Sequence, residues 1–345
     1  MSANADYRFE LKAFFPDYIF DRITEIRVRD PEIISRQAES RKQRAHIAPR
    51  GKITILAADH PGRGVTSIGA QPFAMGDRQQ YLGRILRVLI GTDFDGFMST
   101  PDMIDELLIV DYLVQQGGGP SILDDRLLIG CMQRGGVVGV VGEIDDRFGA
   151  YSAESIARQR LDGGKMLLRF DPNDERTLQT VDYCARAVTE LNHHQLPSFV
   201  EPLRTEKIDG RYVMKNTMEE LIKLVGVCAA FGDSSRYTWL KLPYCEGFEQ
   251  VAQATSLPII LLGGPSAEDP TGTYREFAAG MKARPNVRGV MVGRNVTYPG
   301  DEDPAAVAYA IQQIVYDGLD AGAAPAAAVA HRDHALDFLT RYIRP

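Results

Sequence analysis

Eight short apolar runs, set apart by stretches of helical periodicity, constrain this chain more than any other feature of its sequence. They are "ITILAAD" (53–59), "DGFMS" (95–99), "LLIGCM" (127–132), "KMLLRF" (165–170), "SFVEP" (198–202), "TWLKLP" (238–243), "PIILLGG" (258–264) and "RGVMVGR" (288–294). Each has the length and apolar character of a buried strand. Between the first two, Leu82, Ile85, Leu86, Leu89 and Ile90 recur at the spacing of a helix packed on a sheet. Leu178, Val181, Ala185, Val188 and Leu191 repeat that stripe between the fourth and fifth runs, and Asn216 with Glu219 resembles a capping box ahead of "LIKLVGVCAA". Strands alternating with helices imply parallel pairing and right-handed crossovers, and eight such units predict a closed (β/α)8 barrel rather than an open doubly wound sheet. Residues 46–320 are assigned to the barrel. Residues 1–45 read as a charged, helical extension packed outside it, and residues 321–345 as an Ala/Gly/Pro-rich connector followed by one extra helix, "HRDHALDFLTRYI".

In such a barrel the chemistry sits at the C-terminal ends of the strands. Four ionisable residues fall there: Asp59 at the end of the first strand, Lys165 in the fourth, Glu201 at the end of the fifth and Lys241 near the end of the sixth. A lysine inside an apolar strand is costly unless it is paired or deprotonated. A structural Lys–Glu ion pair would satisfy one such residue, but two lysines and two carboxylates at four strand ends favour a site. The chemistry that uses this set is covalent amine catalysis. A neutral lysine adds to a ketone or aldehyde, the resulting iminium withdraws electrons from the neighbouring C–C bond, and a carboxylate moves the protons. A second ammonium helps to depress the first one's pKa, a role open to Lys165.

"PIILLGGPS" and "GVMVGRN" form two Gly-rich turns after the seventh and eighth strands, where barrels commonly build a phosphate site. The two turns, the second carrying Arg294, are the candidate phosphate-binding segments, and His60, beside Asp59, is a candidate substrate contact. "GGVVGVVGE" (135–143) lacks the G-x-G-x-x-G pattern and follows the third strand, which argues against a dinucleotide fingerprint. The pairs His193/His194 and His331/His334 are placed at or on helices away from the strand ends, so no metal site is expected and no cofactor is implied. The four cysteines, Cys131, Cys184, Cys228 and Cys245, show no CxxC pattern and suggest neither a disulfide framework nor a zinc site, and Cys131 and Cys245, near strand ends without an adjacent basic partner, read as packing residues.

A net charge of −7 argues against nucleic-acid and membrane-surface partners, so an anionic substrate must be held by local donors. The N-terminal stretch lacks the basic start and apolar centre of a secretion signal, and no apolar run is long enough to span a bilayer; a cytoplasmic location is the expectation.

From about residue 50 to 317 the chain resembles the class I aldolase superfamily that includes deoxyribose-phosphate aldolase, archaeal-type fructose-bisphosphate aldolase and class I tagatose-bisphosphate aldolase. The resemblance rests on "LKLPYCEGFEQVAQATSLPIILLGGPS" followed by "VRGVMVGRNVTYPGDEDPAAVAYAIQQIV", with "KMLLRFDPND" and "FVEPL" upstream. It implies that Lys241 forms a Schiff base, that Lys165, Glu201 and Asp59 assist, and that Gly263, Gly264, Ser266, Gly293 and Arg294 hold a phosphate. The implied function is a metal-independent aldolase of carbohydrate or inositol catabolism, acting on a phosphorylated sugar or sugar acid and assembling as a homo-oligomer. An acyltransferase of the same fold, a sugar-phosphate isomerase using Glu201 as base, and a non-enzymatic sugar-phosphate sensor are the alternatives. Tagatose-bisphosphate, sulfofructose-phosphate and 5-keto-2-deoxygluconate-phosphate substrates are all open.

Overall fold

Parallel strands covered on both faces must be apolar throughout, and the first strand, β1 (Ile53–Ala57), is buried at every residue. The computed structural model describes residues 7–133 and 135–345. Seven further strands follow: β2 (Gly96–Ser99), β3 (Leu127–Cys131), β4 (Gly163–Phe170), β5 (Ser198–Ile208), β6 (Thr238–Pro243), β7 (Ile259–Leu262) and β8 (Val287–Val292). They pair in parallel in the order β4-β3-β2-β1-β8-β7-β6-β5, and a seven-residue ladder from Gly164↔Ser198 to Phe170↔Arg204 joins β4 to β5 and closes the ring. The architecture is a (β/α)8 barrel.

Two apolar layers hold it. Inside the ring, Ile53, Ile55, Met98, Ile129, Phe199, Trp239, Ile260 and Met291 fill the interior. Outside, the helices bury their inner faces on the sheet: Leu82, Ile85, Leu86 and Leu89 of the helix Arg78–Gly91 are buried as the spacing requires. Along the helix Arg176–His193 the stripe starts elsewhere than its spacing suggests. Leu178 is 72% exposed, and Thr177, Thr180 and Cys184 are buried in its stead. The helix Met218–Ala229 is capped by Thr217, whose hydroxyl accepts from the Glu220 N–H, one residue later than the expected Asn216/Glu219 box.

Residues 1–6 of the N-terminal extension lie outside the described residues; the remainder forms the helices Leu11–Phe14, Asp17–Arg29 and Ile33–Ser40. These pack on the barrel helices Arg78–Gly91 and Pro101–Gln116. The C-terminal segment differs from the expected connector and single helix. Ala324–Ala330, with Pro325 in its first turn, is itself helical, and positive φ angles at Asp333 and Ala335 interrupt the chain so that the last helix is only Phe338–Tyr342. His331 and His334 therefore lie in turns. The His331 ring stacks on Tyr309 and its Nε2 lies 2.7 Å from the Gly91 carbonyl oxygen.

β5 is the longest strand because it runs past the ring into a hairpin with a return arm, Arg211–Met214, paired antiparallel from Thr205↔Met214 to Ile208↔Arg211. Asp209 and Gly210 form its turn with φ of 47° and 79°, the left-handed pair that a two-residue hairpin demands. Among the described residues no helix is long and apolar enough to cross a membrane.

Candidate active site

Strand alternation decides which way Lys241 faces. On β6 it shares a side with Trp239, and Trp239 belongs to the interior layer, so Lys241 points into the barrel. Lys165 of β4 and Glu201 of β5 point inward beside it, and Asp59 lies two residues beyond β1. All four are at least nine-tenths buried: Lys165 is 2%, Asp59 4%, Lys241 6% and Glu201 7% exposed. Charges so enclosed must neutralise one another, and they form a chain. The Lys241 ammonium lies 3.0 Å from Glu201 Oε1, the Lys165 Nζ 2.6 Å from Glu201 Oε2, and the same Nζ donates to Asp59 Oδ2 at 3.2 Å.

The chain is electrically asymmetric. Burial lowers the pKa of Lys165, but the Asp59 and Glu201 carboxylates more than offset this and hold it above the ordinary lysine value. Lys241 has one carboxylate neighbour and one ammonium neighbour; burial dominates, Lys165 adds to it, and its pKa falls below the ordinary value despite Glu201. Glu201, which burial alone would push up, is drawn down to about 2 by the two ammonium groups. Asp59 is likewise held well below the usual carboxylate range, chiefly by Lys165 against its own desolvation.

Above this chain lies a cavity of about 80 Å³. Its walls include Lys241, Glu201, His60, Gly263, Gly264, Gly293 and Arg294. Lys165 and Asp59 are not among its lining residues and form the layer beneath. The β7 and β8 turns are tied together, because the Asn295 amide donates to the Gly263 carbonyl. Gly293 admits no side chain: a β-carbon there would stand 2.4 Å from the Ala57 carbonyl oxygen and 3.2 Å from the His60 ring. The Arg294 Nε is buried without a hydrogen-bond partner, and burial lowers its pKa. His60 is neutral, since burial and the nearby Arg294 charge bring its pKa down to about 3.

A family profile described as Cgl0159-like matches residues 51–315. The chain belongs to the Cgl0159-like family. The crystal structure of Cgl0159 from Corynebacterium glutamicum is 33% identical, with a TM-score of 0.81, over 88% of this chain and 98% of that one. At lower identity the barrel is similar to that of a Schiff base-forming fructose-1,6-bisphosphate aldolase, at 19% identity and TM-score 0.55 over 82% of this chain and 100% of the other. It is also similar to a fructose-bisphosphate aldolase from Slackia heliotrinireducens, at 12% identity and TM-score 0.59 over 96% of each chain. No curated protein matches the sequence.

In this member of the Cgl0159-like family nine of the ten expected site residues converge on the cavity or the ion chain beneath it, and Ser266 does not. Its hydroxyl donates to the Tyr298 carbonyl at 2.7 Å and accepts from the Glu268 N–H at 3.0 Å, which builds the turn. Three polar residues around the ion chain escaped the sequence reading. Cys131, assigned to packing, places its Sγ 3.1 Å from Asp59 Oδ2. Arg63, one helical turn after Asp59, sets its Nε 3.8 Å from Asp59 and its Nη1 2.6 Å from Asp146. Arg169, on the same face of β4 as Lys165, pairs with Glu143, so the Gly-rich segment after β3 is pinned by two arginines over the Asp59 side. The i, i+4 spacing of Arg63 and Asp59 was the available clue. Among the described residues there is no group of three or more His, Cys, Asp or Glu that could hold a metal ion.

Proposed function

We propose that this protein is a class I aldolase that makes or breaks a C–C bond in a phosphorylated oxo compound through a Schiff base on Lys241. The observation that carries the reading is the inequality of the two lysines. Lys241 faces the cavity and is the more easily deprotonated, whereas Lys165 lies beneath it, clamped between two carboxylates. The fold likeness to a Schiff base-forming aldolase supports the same chemistry.

In the cleavage direction the neutral Nζ of Lys241 attacks the substrate carbonyl carbon. Glu201, 3.0 Å away, relays the protons as the carbinolamine loses water and the iminium forms. Glu201 then takes the proton from the substrate hydroxyl. That oxygen's electrons form the carbonyl of the departing aldehyde, and the C–C pair flows to the iminium nitrogen to give an enamine. Reprotonation at carbon and hydrolysis by water release the second product and the amine. Lys165 stays charged throughout, which keeps Glu201 ionised until it accepts its proton. Arg294 and the backbone of the two Gly-rich turns supply donors for the phosphate.

The test is reductive trapping. Sodium borohydride added with dihydroxyacetone phosphate or hydroxyacetone phosphate should inactivate the enzyme and leave a reduced adduct on the peptide containing Lys241. An adduct on Lys165, or none on either lysine, would overturn the assignment.

A further inference from the structure

We infer that the leaving half of the substrate is an aldehyde whose carbon next to the carbonyl bears no hydroxyl, selected by an apolar wall that Leu203 and Met214 present from the β5 hairpin. This rests on the Schiff-base reading and concerns the opposite end of the same cavity.

The order of the strands around the ring orients the substrate. The Gly-rich turns follow β7 and β8, Lys241 stands on β6, and the next neighbour is β5. A molecule anchored by its phosphate at Arg294 and joined at its carbonyl carbon to Lys241 therefore extends toward β5. There the cavity is lined by Leu203, on the same face as Glu201, and by Met214 on the return arm. Four side chains of the cavity can hydrogen-bond, and three of them are committed: Lys241 to the imine, Glu201 to proton transfer and Arg294 to phosphate. The fourth, His60, stands beside Gly293 on the phosphate side. A hydroxyl on the retained half thus has a neutral partner, whereas a second hydroxyl on the leaving half, beyond the one that Glu201 deprotonates, meets among the cavity-lining side chains the aliphatic and thioether groups of Leu203 and Met214.

The wall is held in place. The Arg204 Nε donates to Glu220 at 3.0 Å, the Lys215 N–H to the Arg204 carbonyl at 2.8 Å, the Lys207 N–H to Asp171 at 3.2 Å and the Tyr212 hydroxyl to Asp174 at 2.6 Å. The first hydroxyl on this side belongs to Thr205, which follows Leu203 on the same face, is buried without a hydrogen-bond partner and does not line the cavity. An oxygen function one carbon further out would reach toward Thr205, so the restriction falls on the carbon next to the aldehyde.

The synthetic direction isolates this end of the site. The enamine carbon bonds to the aldehyde carbon, and the aldehyde oxygen takes the proton carried by Glu201. With dihydroxyacetone phosphate or hydroxyacetone phosphate as donor, propanal and glycolaldehyde differ by a methyl in place of a hydroxyl at the carbon in question. Propanal should be favoured about tenfold to a hundredfold in kcat/KM, on the basis of free aldehyde. The double variant Leu203→Asn/Met214→Gln should shrink that ratio to about threefold or less, through a gain with glycolaldehyde. If either donor traps on Lys241 and glycolaldehyde equals or exceeds propanal, the aldolase reading stands and this inference falls. If neither donor traps, both fall together.

Discussion

Glu201 accepts from both Lys165 and Lys241, so removing one lysine changes the charge felt by the other. With Lys165→Met, Lys241 loses a repelling ammonium and faces a Glu201 carboxylate no longer shared. Both changes stabilise the charged amine and raise the Lys241 pKa. Only the neutral amine attacks, so the rising limb of kcat/KM against pH should move to higher pH, and activity near pH 7 should fall about tenfold or more. A limb that stays in place, or moves to lower pH, would show that Lys165 does not tune Lys241. Strand-end position and charge were enough to single out Lys241, Lys165, Glu201 and Asp59 from sequence. The Cys131–Asp59 contact was not legible in that way, because 72 positions separate the two and only the β1–β2–β3 pairing brings them together. Ser266 shows the converse: its place beside a Gly-rich turn suggested a ligand, and the turn itself uses the hydroxyl.

Among the elements, the junction of β8 with β1 tolerates least. Gly289 pairs with Ile53 at a φ of 141°, and a β-carbon there would stand 1.8 Å from the Ile53 carbonyl oxygen. Gly289→Ala should therefore cost about 3 kcal/mol, read as a lower denaturation midpoint with an unchanged m-value; a loss under about 0.5 kcal/mol would mean that the two strands can part without penalty. The eight strands themselves were readable because buried parallel strands are unbroken apolar runs, and "TWLKLP" matches β6 end to end. The hairpin was missed although "TEKI", Asp209-Gly210 and "RYVM" carry the turn dipeptide, because its arms lack an apolar face: Arg211, Val213 and Met214 are all exposed. In the last segment the alanine content was taken for a connector, whereas alanine is the strongest helix former and Ala324–Ala330 obeys that preference.

At the scale of the whole molecule, one buried ion pair joins parts far apart in the chain. Arg87, on the helix after β1, forms a two-pronged bond with Asp303 at 2.9 and 2.7 Å, donates to the His334 carbonyl at 2.6 Å and lies within 6 Å of the Phe9 and Phe14 rings. Asp303 also caps the helix Pro304–Asp317 and accepts from the Asp333 N–H. Asp303→Asn removes the carboxylate charge from the enclosed guanidinium and keeps one acceptor oxygen, and the expected loss is about 3 to 5 kcal/mol in chemical denaturation; a change below about 1 kcal/mol would show that the end segments are held by apolar packing alone. The two end segments also grip each other, the Tyr18 hydroxyl donating to the Ile343 carbonyl at 2.8 Å and Arg22 to the Arg344 carbonyl at 3.2 Å. A mechanical load applied to both ends would consequently fall first across this clasp, opening it bond by bond like a zip, while the ring of strands that carries Lys241 stays unstretched until the clasp has gone.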